Sequence, residues 1–363
     1  MTEWRDCKFG EIATFSYGKM PNKKNIVNCG YPIFSGYKIV GYYNSYMYED
    51  PQLIIVARGV GGTGDVKISP PKSYITNLSI IAEVHPGKAN KKFLYYYFKI
   101  NNLRELDSGS AQSQITINDL NNYCITLPPL PEQKAIAEVL SSLDDKIDLL
   151  TRQNKTLEDL AQAYFRKWFI EDASDKWEEK GLDEIADFLN GLPLQKYPYK
   201  TGNPLHVIKI KELNNGFTDS SDLCSADIPE QYIVHPGDVI FSWSGSLKVD
   251  IWKYGKGALN QHLFKVTSCN YPKWFYYFWI KYHLPEFKMI AESKATTMGH
   301  IQRRDLSNAI VLVPENQEIN NMDNIMSPLI KKIEQNNAQI LVLQKLRDTL
   351  LPKLISSEIR LKM

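Results

Sequence analysis

The sequence predicts an α+β protein: two related α+β globules, linked by a pseudo-two-fold axis and separated by a long antiparallel two-helix coiled coil. Three observations predict it. The 363-residue chain repeats itself at an offset of about 180 residues. Each copy passes from an aromatic, β-branched stretch punctuated by Gly and Pro into a stretch without glycine. Those glycine-free stretches carry apolar residues at alternating spacings of three and four.

The repeat opens each globule. Trp4, Glu11, Ile12, Ala13, Phe15 and Gly18 recur as Trp177, Glu184, Ile185, Ala186, Phe188 and Gly191 at an offset of 173. Lys92–Phe98 matches Lys273–Trp279 at 181, and Asp119, Leu120 and Pro128 match Asp305, Leu306 and Pro314 at 186. A solenoid repeat would run ~20–50 residues, so this is a duplicated domain. The chain divides into residues 1–130, 131–172, 173–315 and 316–363: globule, central helix, globule, and a distal helix that pairs with the central one.

Within the globules, Gln52–Val56, Ser79–Val84, Gly237–Phe241 and Leu263–Val266 read as strands between turns. Ile115–Asn118 reads as a strand after a polar loop. Lys91–Asn101 and Lys273–Lys281 read as helices whose aromatic stripes belong to the core.

The central segment places Leu140, Leu143, Ile147, Leu150, Asn154, Leu157, Ala161, Tyr164 and Trp168 on one heptad seam. Its 42 residues would span ~63 Å as a helix starting near Pro131. The distal segment repeats the seam with Met326, Leu329, Ile333, Asn336, Ile340, Leu343, Arg347, Leu350 and Leu354. A two-fold relation makes the pairing antiparallel and sets Asn154 opposite Asn336, a polar pair that would fix register. Pro328 predicts that the long distal helix starts there, capped by Ser327, with 316–326 a separate turn or short helix.

Composition excludes several classes. With 43% hydrophobic and 23% charged residues the chain is globular. It lacks an apolar run of ~18 residues, and its N-terminal stretch has no signal-like apolar region. Five scattered cysteines without a Cys-x-x-Cys argue against disulfides or a zinc site and point to a reducing cytoplasm. The net charge of +2 is divided as +4, −3, −1 and +2 over the four segments, so polyanion binding would have to be local.

Catalytic motifs do not emerge. Gly59-Val-Gly-Gly-Thr-Gly64 fits G-x-G-x-x-G, but the following residues, with two prolines, form no helix to receive a pyrophosphate. A loop that approaches another backbone closely is the better reading. The six histidines show no metal-ligand spacing. His85 and His235 precede Pro-Gly turns, whereas His262 sits among polar groups in Asn260-Gln-His262. No metal site is expected.

Other residues suit nucleic acid, since Arg, Lys, Asn and Gln read base edges and Lys, Arg and hydroxyls take phosphates. In the first globule these are Lys19, Lys23, Lys24, Tyr37, Lys38, Arg58, Ser110, Gln112 and Gln114. In the second they are Ser242, Ser244, Lys248, Gln261, His262, Lys294, Thr296, Gln302 and Arg303.

Three stretches give this pattern a family. Trp-…-Phe/Leu-x-Glu-Ile-Ala opens each globule at Trp4–Ala13 and Trp177–Ala186. Residues 109–137, ending Leu-Pro-Pro-Leu-Pro-Glu-Gln-Lys-Ala-Ile-Ala, lead from globule into helix. The helix endings are Leu157–Phe169 and Leu346–Leu354. Together they resemble the specificity (S) subunit of type I restriction–modification systems over nearly the whole chain. The second copy departs at Val313-Pro-Glu-Asn-Gln317 and at Lys294-Ala-Thr-Thr297.

The resemblance implies two target recognition domains, each reading half of a bipartite DNA site, with helices that set the spacer and dock two methyltransferase subunits. It implies a chain that is non-catalytic by itself and binds no cofactor. Partner subunits would bring S-adenosylmethionine, ATP and Mg2+, and two restriction subunits could join the complex. The competing expectation is an antiparallel coiled-coil scaffold that joins protein partners without reading DNA.

Overall fold

The computed structural model describes residues 4–59, 62–107, 114–293 and 299–361. The chain forms two compact units, Met1–Ile147 with Leu343–Met363, and Asp148–Val342. Each is α+β.

In the first unit an antiparallel sheet runs in the order Ala13–Tyr17, Ser79–Val84, Leu53–Val56, Val66–Ile68. A second sheet runs Ile26–Val27, Ile39–Tyr43, Tyr31–Phe34, Tyr74–Ile75, its last pair parallel. A ribbon joins Arg5–Lys8 to Cys124–Leu127. The second unit repeats this plan. Its first sheet runs Asp187–Asn190, Leu263–Thr267, Val239–Ser242, Val249–Ile251. Its second sheet also has one parallel pair, Leu205–Ile208 with Gly257–Leu259. Its ribbon joins Glu178–Gly181 to Ile310–Val313. The second sheets differ in one respect: the outer strand Ile26–Val27 flanks the antiparallel side, whereas Ile233–Val234 flanks the parallel side. The strand Leu53–Val56 is buried along its whole length, which explains its unbroken apolar run.

The aromatic stripes are core, as expected. In Lys91–Ile100, Phe93, Leu94, Tyr96, Tyr97 and Phe98 are buried; in Lys273–Ser293, so are all residues from Trp274 to Ile280. Burying each such side chain contributes ~1.5–3 kcal/mol. The second helix runs well past Lys281, through Pro285, because His283, Phe287 and Ala291 keep an inward face beyond the proline.

The strand expected at Ile115–Asn118 is instead the start of a helix, Ile117–Asn122. Thr116 caps it: Asp119 N donates to Thr116 Oγ1 at 3.2 Å, and Thr116 N donates to Asp119 Oδ2 at 2.9 Å. This reciprocal cap outweighs the β-branched propensity of the segment.

The central helix runs Leu130–Arg166 and ends in a π-helical turn, Lys167–Glu171. The distal helix is continuous from Asn316 to Ile355, so the separate segment expected before Pro328 does not exist. Ser327 donates to the Asp323 side chain within the helix and caps nothing. Ile319, Met326 and Ile330 are buried in the core of the second unit on both sides of the proline. That packing outweighs the ~3 kcal/mol that an interior proline costs.

Both units show antiparallel helix pairing. In the first, Ile136 and Leu140 share a core with Leu351, Leu354 and Ile355, and Arg347 pairs with Asp144 at 2.8 Å. In the second, Ala161 and Phe165 share a core with Met326 and Ile330. The expected asparagine pair is present: Asn336 Nδ2 donates to Asn154 Oδ1 at 2.9 Å, and Asn154 Nδ2 donates to Asn337 Oδ1 at 2.8 Å. Among the seam residues Leu140, Leu150 and Asn336 are buried, while Leu143, Ile147, Leu157, Tyr164, Ile333, Ile340, Leu343 and Leu350 are half-buried.

Candidate nucleic-acid interface

Each unit has a corner where four chain segments meet, held by the same backbone bonds. In the first unit Ala57 N donates to Leu78 O at 2.9 Å, and Ile115 N donates to Ala57 O at 3.0 Å. Gly18 N donates to Ser79 O at 3.0 Å, and Arg58 bridges to Gln114. In the second unit Trp243 N donates to His262 O at 3.4 Å, and Ile301 N donates to Trp243 O at 3.0 Å. Gly191 N donates to Leu263 O at 3.0 Å, and Ser244 bridges to His300. The repeated glycines have a steric cause: a Cβ would lie 2.1 Å from Thr76 O at Gly18 and 2.2 Å from Asn260 O at Gly191.

The corners therefore correspond residue for residue but present different chemistry. Arg58, Asn77, Leu78 and Gln114 occupy the places of Ser244, Gln261, His262 and His300. A fixed frame with exchangeable side chains suits a surface that reads different sequences.

At the first corner Arg58 is exposed and Gln114 half-buried. Tyr37 stands beside the glycine-rich loop, where a Cβ on Gly62 would overlap its hydroxyl. Gly64 adopts φ +90° and approaches the backbone of Arg104, as a loop built for close approach should. Burial and then the Asp65 charge push the Tyr37 phenol upward, so it stays a protonated donor at neutral pH. Lys19, Lys23, Lys24 and Lys38 of the same unit are exposed, as residues that contact phosphates must be. Asn22 caps the short turn of Lys23 and Lys24 by accepting from Lys24 N at 3.1 Å.

At the second corner Ser244 Oγ lies 3.0 Å from His262 Nδ1, and Gln261 Nε2 lies 3.3 Å from His262 Nε2. Trp243 walls the site, 5.9 Å from His262 between ring centroids, with its indole N–H donating to Asn190 Oδ1 at 2.9 Å. Gln302 is exposed at the start of the helix Arg303–Ser307. Arg303 donates to Phe188 O at 3.0 Å and sits over the Phe264 ring, which anchors it to the first sheet.

Two expected contacts fall elsewhere. Ser242 is fully buried and its hydroxyl donates to Ser244 O and Ser246 O, so it builds the turn and faces no ligand. Lys248 pairs with Asp250 at 2.9 Å and donates to Leu213 O at 3.1 Å, which neutralises and fixes it. Ser110, Gln112, Lys294 and Thr296 lie outside the described residues. Trp243, Asn190, Asn77 and His300 were missed; the offset of 186 that aligns Ala57 with Trp243 was the available signal. Among the described residues no His, Cys, Asp and Glu group could hold a metal ion, and no helix is long and apolar enough to cross a membrane.

Comparison with known proteins gives a consistent result. The family described as "Type I restriction modification DNA specificity domain" matches residues 1–159 and 174–345. The type I restriction enzyme MjaIX specificity subunit of Methanocaldococcus jannaschii is 30% identical over 303 residues, covering 75% of this chain and 69% of that protein. The EcoBI specificity subunit of Escherichia coli is 27% identical over 171 residues, covering 46% of this chain and 35% of that protein. In structure, the chain is similar to the type I restriction–modification S subunit of M. genitalium, with a TM-score of 0.71, 20% identity, and coverage of 100% and 97%.

Proposed function

Taking as premise that this chain belongs to the family of type I restriction–modification DNA specificity subunits, we propose that it reads a bipartite duplex site, one half through each unit. The observation that carries this reading is the repeated corner: one backbone frame, two sets of polar side chains. Exposed Lys19, Lys23, Lys24 and Lys38 supply phosphate contacts that position the first unit, while Arg58, Gln114, Gln261 and Gln302 address base edges.

The long helices set the unspecific spacer and dock two methyltransferase subunits. Those subunits bring S-adenosylmethionine and the transfer chemistry; two restriction subunits, using ATP and Mg2+, complete a nuclease. Methylating an adenine requires flipping it from the stack, so the readers must hold the flanking bases while the duplex distorts. The modest net charge of +2 fits a reader whose partners close around DNA and add phosphate contacts.

The test is a selection from random duplexes by the full chain assembled with modification subunits, repeated across salt concentrations. A split consensus with a fixed gap, and affinity falling steeply with salt, is expected. Binding without sequence preference would refute the proposal, and the absence of salt-sensitive DNA binding would favour a protein-joining scaffold.

A further inference from the structure

We propose that Gln261 is a base-reading residue of the second unit, held by His262 and Ser244 so that its amide faces the edge of an adenine. This rests on the reading of the chain as a DNA specificity subunit and narrows it to one side chain.

The argument begins in the buried layer. Ser244 is only 3% exposed, and its Oγ lies 3.0 Å from His262 Nδ1. The other ring nitrogen, Nε2, lies 3.3 Å from the amide nitrogen of Gln261. An amide N–H can only donate, so His262 Nε2 accepts and the ring proton sits on Nδ1, where it donates to Ser244 Oγ. His262 N also donates to Asn260 Oδ1 at 3.3 Å. Trp243 flanks the imidazole and is itself anchored through Asn190. The imidazole is thus fixed at both nitrogens and along one side.

Gln261 inherits that order. One amide N–H is committed to His262, leaving the second N–H and the carbonyl oxygen without a partner among the described residues. A donor and an acceptor side by side complement adenine, which shows an acceptor at N7 and a donor at N6 in the major groove. A free glutamine must lose rotamer freedom before it can make both bonds; the relay has removed part of that cost. In the first unit Leu78 stands where His262 does and Arg58 where Ser244 does, so the relay belongs to one unit alone.

The experiment is duplex selection with the full chain assembled with modification subunits, comparing wild type with Gln261→Ala, Gln261→Glu and His262→Ala. Gln261→Ala should lower the preference for one A·T pair, in one half-site, by about 5- to 100-fold. Gln261→Glu, which keeps the side chain's size, should move the preference at that pair toward cytosine, whose N4 amino group needs an acceptor. His262→Ala should weaken the same pair and add nothing when Gln261 is already alanine. A wild-type split consensus left unchanged by both Gln261 variants would overturn this inference while the specificity reading stands. Loss spread evenly over all positions in His262→Ala would overturn the positioning role. Absence of any consensus in the wild type would overturn both.

Discussion

Asn336 is the residue on which the helix seam of the second unit turns. It is 1% exposed and donates to Asn154 Oδ1 at 2.9 Å and to Gln153 Oε1 at 3.0 Å. Asn336→Ala strands polar partners in a half-buried seam, and should cost about 1–3 kcal/mol in denaturant unfolding. With Asn154→Ala it should give a coupling of about 0.5–3 kcal/mol in a double-mutant cycle, whereas additive effects would place the two side chains in separate environments. Tyr96 makes a second residue-scale prediction. It is buried and donates to Asp144 Oδ2 at 2.7 Å, and burial, then the bond to Asp144 and its charge, push the phenol far upward. Tyr276, in the other unit, is pushed up to about 12, mainly by burial. The folded state keeps protons that the unfolded chain releases near pH ~10, so stability is intact below that pH and falls as pH rises. Unfolding midpoints measured from pH ~8 to ~11 should decline, and Tyr96→Phe should flatten the decline. A wild-type profile flat to pH ~11 would contradict the assignment.

At the scale of elements, burial settles conflicts that local propensity leaves open. Pro328 lacks the N–H an interior helical position needs, yet Met326 and Ile330 beside it are buried. Pro328→Ala should therefore stabilise the second unit, by up to about 3 kcal/mol, seen as a higher melting temperature. An unchanged or lower value would mean that the proline serves the local packing. Thr116→Ala removes the reciprocal cap of Ile117–Asn122 and should cost about 1 kcal/mol. These two positions also mark where the sequence could and could not be read. Leu53–Val56 was legible because a short run of four apolar, mostly β-branched residues reads as a buried strand, and Asn154 opposite Asn336 followed from heptad spacing together with the two-fold relation between the copies. The helix through Pro328 was illegible because its support comes from Ile319, Met326 and Ile330 meeting a distant core. Thr116-x-x-Asp119 was legible in principle; the β-branched pair Ile115 and Thr116 pointed the other way. The relay from Ser244 to Gln261 joins segments 17 residues apart through two loops, and spacing carries no record of that meeting.

At the scale of the whole molecule, a duplication gives two readers one frame, and their difference lies in the side chains at the corners. The frame survives in the sequence as Gly18 and Gly191, each pressed against a carbonyl, and as Asp119 and Asp305, each near the start of a short helix that buries a leucine. If the helices set the spacer, a matched insertion of about four residues in each adds ~6 Å. That should widen the gap of the recognised site by about two base pairs and leave both half-sites unchanged. A gap of unaltered width would remove the ruler role. The central claim, that each unit reads its own half, is tested most directly by mapping the duplex consensus selected by the assembled full chain carrying Arg58→Ala. The account predicts relaxed preference within one half-site and an intact second half. Equal loss in both halves, or a single unbroken consensus, would contradict it.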